Sequence, residues 1–316
     1  MIHEPILTEE TASRVGGTTY AIVNPHSGKR GNEDVADALK RRFEADGRDL
    51  EIGLVGQDGD IEELAKKAVE RGCATVIAAG GDGTISTVAE VLAGTDTALG
   101  VIPAGTFNYF ARSFEIPEDI EGAVEVIATG TPRPTDVGWI NDRIFLNNAS
   151  VGIYSTIRRE RERTYKSWGR SRVAAYWSVI KALVKLYKPM KVDLTVDGET
   201  RRTKTSLVFV CNSPFQLNLF ELDGAKEVEQ GKLAVFLSRD SGRWELLTRA
   251  FRLATKGMQR GRDFDLVTGK EITIDTGKPY RHIVRDGETG RMRGPFRFRL
   301  DAGGLKVIVP AANGAE

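Results

Sequence analysis

Over the first 130 residues, short apolar runs alternate with longer stretches whose apolar positions recur at helical spacing. Residues 18–23, 50–55, 74–79 and 98–102 have the composition of buried strands. Between them, residues 34–45 read as a helix. Asp60 followed by Glu63 reads as a helix start with an acidic cap, and Val88, Val91 and Leu92 place a helix over 86–92. Strands alternating with helices predict βαβ units and a parallel sheet. After about Gly130 the rhythm changes. Residues 144–146, 191–196, 206–210, 233–237, 271–275, 282–284, 296–300 and 305–309 read as strands, and Asp197-Gly198 and Asp286-Gly287 are hairpin turn signals. Helices are expected only at about 168–188 and 243–257. The fold class is thus α/β: an N-terminal α/β domain with a parallel sheet, then a β-rich domain, with the boundary near Asp136.

Three predicted strands of the first half run into polar, glycine-containing turns: Asn24-Pro25-His26-Ser27-Gly28-Lys29, Gly80-Gly81-Asp82-Gly83-Thr84 and Pro103-Ala104-Gly105-Thr106-Phe107-Asn108. Ligands of open α/β sheets sit beyond the carboxyl ends of the strands, where all three turns fall. In the middle turn, glycines permit positive φ and close approach of a ligand to the main chain. The following helix offers free N–H groups and a positive dipole end, which favour phosphate. Asp82 would repel a bare phosphate but suits one carried with a divalent cation. The competing reading is a glycine-rich turn that merely packs tightly. Neither common phosphate loop matches: there is no G-x-x-x-x-G-K-[ST], and the G-x-G-x-x-G that starts at Gly81 meets Ser86 at its last glycine.

Charge and composition narrow the classes. With 316 residues the chain can bury two cores, and its net charge of +1 gives no electrostatic reason to bind nucleic acid. Cys73 and Cys211 stand far apart in apolar surroundings and read as buried thiols in a reduced compartment. No signal-peptide pattern and no apolar run of membrane-spanning length is expected. Residues 158–172 hold seven basic and two acidic side chains and lead into an aromatic-bearing amphipathic stretch to residue 188. Such a segment can lie on an anionic membrane surface; the alternative is an ordinary helix packed on a sheet with its lysines outward.

Taken together, Asn24-Pro25-x-Ser27-Gly28-Lys29, Gly80-Gly81-Asp82-Gly83-Thr84 and Pro103-Ala104-Gly105-Thr106-x-Asn108-x-Phe110-Ala111-Arg112 resemble the diacylglycerol kinase catalytic family, which includes bacterial lipid kinases and the sphingosine and ceramide kinases. Asp136-Val137-Gly138, Phe145-Leu146-Asn147-Asn148-Ala149-Ser150-Val151-Gly152 and Asp286-Gly287-Glu288 extend the resemblance over nearly the whole chain. It implies a nucleotide-binding α/β domain over residues 1–136, a β-sandwich lipid-substrate domain over 137–302, and a tail from about 303 to 316 returning to the first domain. It implies ATP and Mg2+, with transfer of the γ-phosphoryl group to a lipid hydroxyl of diacylglycerol or of a ceramide or sphingoid base. The protein would act in the cytoplasm, peripherally at the inner membrane surface. By motif position, Asn24, Ser27, Gly28, Lys29, Gly80, Gly81, Asp82, Gly83, Thr84, Thr106 and Asn108 would hold the nucleotide. Glu288 would be the general base, with Asp136 and Asp82 in the acidic network; the metal ligands are not assigned. A plain hairpin turn is the competing reading of Asp286-Gly287-Glu288.

Two departures from the family pattern stand out. Many members have Asn-Asp-Phe where this chain has Asn108-Tyr109-Phe110, and an Asp-Asp-Gly metal segment is replaced by Glu229-Gln230-Gly231. A catalytically silent lipid-binding or regulatory protein is therefore a rival reading. NAD kinase is another, but it accounts for neither the first motif nor the third.

Overall fold

A computed structural model describes residues 17–25, 27, 32–152, 189–238 and 264–311. Gly28, Lys29, the basic stretch 158–172 and the helices expected at 168–188 and 243–257 lie outside the described residues. Contacts divide the chain into two units: residues up to Pro134 together with those from Leu305 on, and Thr135–Gly304.

The first unit follows the βαβ rhythm. Its strands are β1 (Thr19–Val23), β2 (Leu50–Leu54), β3 (Thr75–Gly80) and β4 (Ala98–Pro103), and its helices are α1 (Asn32–Ala45), α2 (Ile61–Glu70), α3 (Asp82–Leu92), α4 (Tyr109–Ser113) and α5 (Ile120–Thr129). The strands lie in the order β2-β1-β3-β4, all parallel. The last residues of β16 (Phe296–Val309) add a further parallel neighbour, Lys306 opposite Ala98 and Val307 opposite Leu99. Every residue of β1, β3 and β4 is buried, as expected of a parallel sheet covered on both faces. α2 packs on α3, and α1 on α5. The capping box at α2 is formed in full: Glu63 N–H donates to Asp60 Oδ1 at 2.9 Å, and Asp60 N–H to Glu63 Oε2 at 3.1 Å. α3 begins at Asp82, four residues earlier than the apolar spacing suggested. The glycine turn is therefore the helix's own first turn. Helices α4 and α5 were not among the expected elements, although Ile120, Ala123, Val124 and Ile127 of α5 recur at helical spacing behind an Asp119 cap.

The second unit is a sandwich of two antiparallel sheets. One contains β12 (Phe264–Gly269), β11 (Leu233–Ser238), β10 (Leu207–Cys211), β7 (Asn148–Gly152), β14 (Tyr280–Arg285) and β15 (Glu288–Arg293), in that spatial order. The other pairs the first half of β16 with β13 (Glu271–Asp275), then β8 (Met190–Val196) and β9 (Glu199–Thr205), with β5 (Thr131–Ile140) and β6 (Arg143–Phe145) alongside. Val192, Leu194, Ile272, Phe296 and Phe298 from one sheet meet Val151, Val208, Val235 and Ile283 from the other in a single core. Short helices α6 (Pro214–Leu219) and α7 (Ala225–Glu229) cover a smaller apolar cluster that includes Cys211, Phe236 and Leu217. Both cysteines are buried free thiols, and burial pushes the Cys211 thiol up to about 12.

Residues 296–300 and 305–309, expected as two strands, form one. The intervening Asp301-Ala302-Gly303-Gly304 has the composition of a turn. Gly303 absorbs the irregularity at φ +65°, and its N–H donates to Asp136 Oδ1 at 2.9 Å, so the chain stays extended. Two of the strands that sequence patterning missed, β9 and β15, are edge hairpin arms whose residues are almost all polar or exposed. Without a buried face they leave no alternation to read.

Candidate active site

In the first unit the three polar turns bind to one another. Asn24 N–H donates to the Ala79 carbonyl at 3.0 Å, and Asn24 Nδ2 to Thr84 Oγ1 at 2.9 Å, joining the first turn to the second. Ala104 N–H donates to the Gly80 carbonyl at 2.8 Å, joining the second to the third. Asn108 is the hub between them. It sits in the left-handed region at φ 49° and caps α4. Its N–H donates to Asp82 Oδ2 at 3.2 Å, its Oδ1 accepts from Gly105 N–H at 2.9 Å, and its Nδ2 donates to Glu118 Oε1 at 3.1 Å. Most of its bonding capacity is thus spent inside the protein, where it holds the third turn against Asp82.

The glycines act differently from the sequence expectation. None of Gly80, Gly81, Gly83 and Gly105 has positive φ. Instead they permit close approach. A Cβ on Gly80 would stand 2.5 Å from Thr84 Oγ1, and one on Gly105 would stand 2.9 Å from Gly81 Cα and 2.8 Å from Asn108 Oδ1. Larger residues would force the second and third turns apart.

The first and third turns line a cavity of about 380 Å³. Asn24, Ser27, Thr106, Asn108 and Glu118 supply its polar groups, and Val23, Val35, Ile102 and Ile120 its apolar wall. Its position beside β1 and β3, where the strand order reverses, is where ligands bind in doubly wound sheets. The N-terminus of α3 has no side-chain cap, and its positive dipole end favours an anion. The donor set also suits magnesium. Among the described residues no three His, Cys, Asp or Glu side chains gather into a metal cage. Magnesium characteristically binds through one or two carboxylates plus phosphate oxygens, and Asp82 on the first turn of α3 is such a carboxylate. Beside this rim, Phe107 is 56 % exposed and its ring stacks on Tyr109 with centroids 5.4 Å apart.

In the second unit the Asp286-Gly287-Glu288 turn is anchored far more strongly than a solvated hairpin. Asp286 and Gly287 both take positive φ, 44° and 84°. Asp286 Oδ2 accepts from Leu146 N–H at 2.7 Å, while Oδ1 accepts from Asn147 N–H at 2.8 Å and Asn148 N–H at 3.2 Å. Its own N–H returns to the Asn148 carbonyl at 2.9 Å, and Arg285 Nη1 reaches the Ile144 carbonyl at 2.6 Å. Glu288, exposed, pairs across the turn with Arg285. Asn212 extends the network: its N–H donates to the Asn147 carbonyl at 2.9 Å and its Nδ2 to the Asp136 carbonyl at 3.3 Å. Asp136 and the Glu288 turn are therefore linked through Asn212 and Asn147. Neither Asn212 nor the clamping role of Asp286 was foreseen, since both depend on strands 60 or more residues apart in sequence. Gly138 explains itself locally: its Cβ would lie 2.2 Å from the Phe145 ring opposite it.

The other Asp-Gly-Glu turn is built on the same plan. Asp197 has φ 47°, and its Oδ1 accepts from Lys270 N–H and Glu271 N–H, both at 2.9 Å. What differs is the clamped segment: β13 there, the entrance to β7 here. Asp286→Ala should lower stability by about 2–3 kcal/mol, because three N–H groups in a partly buried site lose a charged acceptor. Asp197→Ala, in an exposed site, should cost about 1 kcal/mol. Urea unfolding of the two variants checks the order; equal losses would show that the Asp286 clamp has no special strength.

Comparison with known proteins places this arrangement. The diacylglycerol kinase catalytic domain model matches residues 18–140, and the YegS C-terminal NAD kinase beta sandwich-like domain model matches residues 148–309. A Pseudomonas aeruginosa (strain UCBPP-PA14) protein named "Probable lipid kinase YegS-like" is 39% identical over 134 residues, which are 42% of this chain and 44% of the relative. The diacylglycerol kinase of Bacillus subtilis (strain 168) is 34% identical over 192 residues, 60% of this chain and 63% of the relative. The chain thus spans less than two thirds of the length of either relative in these matches. The solved structure of a diacylglycerol kinase from Bacillus anthracis str. Sterne shares the fold, with a TM-score of 0.69 at 22% identity over 94% of this chain and 98% of that one. With its catalytic-domain match followed by a sandwich match that takes up half of the sequence, the chain belongs to the diacylglycerol kinase family whose members carry the YegS-type C-terminal domain.

Proposed function

We propose that the protein is an ATP-dependent lipid kinase that transfers the γ-phosphoryl group to a lipid alcohol, either diacylglycerol or a ceramide or sphingoid base. The observation that supports this best is the mutual bonding of the three polar turns, of which the first and third line one cavity and the second is the uncapped start of α3. Gly81, Gly83 and Thr84 would receive the phosphates, Asn24, Ser27 and Thr106 the remainder of the nucleotide, and Asp82 the magnesium. Bound there, magnesium would neutralise charge on the phosphate oxygens. Glu288 would accept the proton of the lipid hydroxyl as its oxygen bonds to the γ-phosphorus, while the bond from that phosphorus to the β,γ-bridging oxygen breaks and ADP leaves. Asp286 holds the turn that presents Glu288.

Contact with an anionic bilayer surface through residues 158–188 belongs to the same reading and is supported by their basic and aromatic sequence. Among the described residues no helix is long and apolar enough to cross a membrane.

Incubation with γ-labelled ATP, Mg2+ and a total lipid extract in anionic vesicles tests the proposal. A labelled phospholipid is the expected product. Labelled NADP from added NAD would instead favour an NAD kinase. ATP binding without transfer to any lipid would favour a silent binding protein, the reading that Tyr109 suggests.

A further inference from the structure

Glu118 has no part in the reaction described above, yet it stands in the cavity of the first unit. It is exposed, and it lines that cavity with Asn24, Ser27, Thr106 and Asn108. Among the described lining residues it is the one ionisable side chain. Its place in the chain is fixed on both sides. Ile116 N–H donates to the Ala111 carbonyl at 3.1 Å, and Asp119 caps α5 by accepting from Gly122 N–H at 2.8 Å. The side chain is held as well, since Glu118 Oε1 accepts from Asn108 Nδ2 at 3.1 Å. The main-chain N–H of the same asparagine donates to Asp82 Oδ2 at 3.2 Å. Asn108 therefore joins two carboxylates, Asp82 on the first turn of α3 and Glu118 in the cavity.

A carboxylate repels phosphate oxygens, so the part of a ligand that suits Glu118 is one that carries hydrogen-bond donors. An ionised carboxylate only accepts, and its two oxygens offer about four lone-pair positions, so the bond from Asn108 does not exhaust it. We infer that Glu118 recognises the ribose of the nucleotide: its carboxylate accepts the 2′- and 3′-hydroxyls and so selects nucleotides that carry the vicinal diol. The inference rests on the kinase reading above. Two neighbouring hydroxyls match the two oxygens of one carboxylate, and in dinucleotide-binding α/β sheets an acidic side chain serves the ribose in this way. The base is a poorer match. Adenine sets its one donating group, the 6-amino, beside a ring nitrogen that a carboxylate repels, and Val23, Val35, Ile102 and Ile120 offer it an apolar wall instead. Glu118 is also tied through a single asparagine to Asp82, at the proposed phosphate end, and the ribose is the part of a nucleotide that adjoins the phosphates.

The test is calorimetric titration with the magnesium complexes of ATP and of 2′,3′-dideoxy-ATP, in the absence of lipid. The two share base and triphosphate and differ only in the diol. Wild-type protein should bind the dideoxy nucleotide about 10- to 100-fold more weakly, the factor that hydrogen bonding to a charged group supplies. Glu118→Ala should bring the two affinities to near equality, by weakening ATP while holding dideoxy-ATP no less tightly than the wild type does. Since Glu118 is exposed, the variant should melt as the wild type does. Glu118→Gln, which keeps an oxygen for Asn108 without the charge, should retain only part of the preference and serves should the alanine variant fail to fold. A side chain that merely braced Asn108 would behave differently, because its loss would weaken both nucleotides alike and leave their ratio unchanged. Equal binding of the two by the wild type, or a preference that survives Glu118→Ala, overturns the inference and leaves the kinase reading standing. A preference for GTP over ATP that Glu118→Ala removes would put the carboxylate on the base and overturn it as well. Binding of neither nucleotide would sink the inference and the kinase reading together.

Discussion

Glu288→Gln should leave ATP affinity unchanged and lower lipid phosphorylation by about 10²- to 10⁴-fold, the usual contribution of a positioned general base. Glutamine keeps the size of the side chain and one acceptor oxygen but cannot take the hydroxyl proton. The fold has little at stake, since Glu288 is exposed and the turn is held by Asp286, whose contacts the substitution spares. The protein supplies its own control. Glu199 ends the other Asp-Gly-Glu turn, with the same left-handed aspartate clamped by the same kind of backbone bonds. Local geometry thus does not separate the two glutamates; only their surroundings do. Asp286 grips the Leu146–Asn148 segment and, through Asn212, the neighbourhood of Asp136, whereas Asp197 grips an exposed strand end. Glu199→Gln should therefore leave transfer within about twofold, the level of an ordinary surface change. Single-turnover transfer with saturating ATP measures both. If Glu199→Gln abolishes transfer and Glu288→Gln does not, the base has been placed on the wrong hairpin.

The contrast between these turns shows where the sequence is legible. Turn chemistry was read correctly at both, because Asp-Gly admits few conformations other than a tight hairpin. The parallel strands were legible because burial on both faces leaves an unbroken apolar run. The exposed arms β9 and β15 were not, since Glu199–Thr205 and Glu288–Arg293 owe their strand state to a partner rather than to composition. The same limit governs the site. The three turns of the first unit announce themselves by residue type, and the sheet's order brings them together. That their glycines serve close packing rather than positive φ follows from contacts between residues 81 and 105, which no local pattern encodes. Asn212 is further out of reach: asparagine is common in loops, and only the register of β10 against β7 brings its N–H to the Asn147 carbonyl.

Asp82→Asn should leave the fold intact and lower turnover by at least about a hundredfold, the scale of losing one electrostatic contact with charge in the transition state. Asp82 is the first residue of α3, and its Oδ2 accepts from Asn108 N–H at 3.2 Å. Asparagine can keep that bond through its own oxygen. The lost interaction of a negative charge with the helix N-terminus costs roughly 0.3–1 kcal/mol, too little to unfold a domain of this size. The effect on catalysis is of another order, because in the proposed reaction Asp82 would hold the magnesium that neutralises charge on the phosphates. A phosphate alone would be better served by asparagine, which does not repel it. The two roles separate in the magnesium dependence. If Asp82 holds the cation, ATP binding measured without magnesium should be equal or tighter in Asp82→Asn, while turnover at fixed ATP should demand far more magnesium than the wild type does. Titration of both proteins with magnesium, alongside a melting curve for each, gives the answer. A folded Asp82→Asn protein with the wild type's turnover and magnesium requirement would reject the assignment and leave the glycine turn as a packing device between β3 and α3.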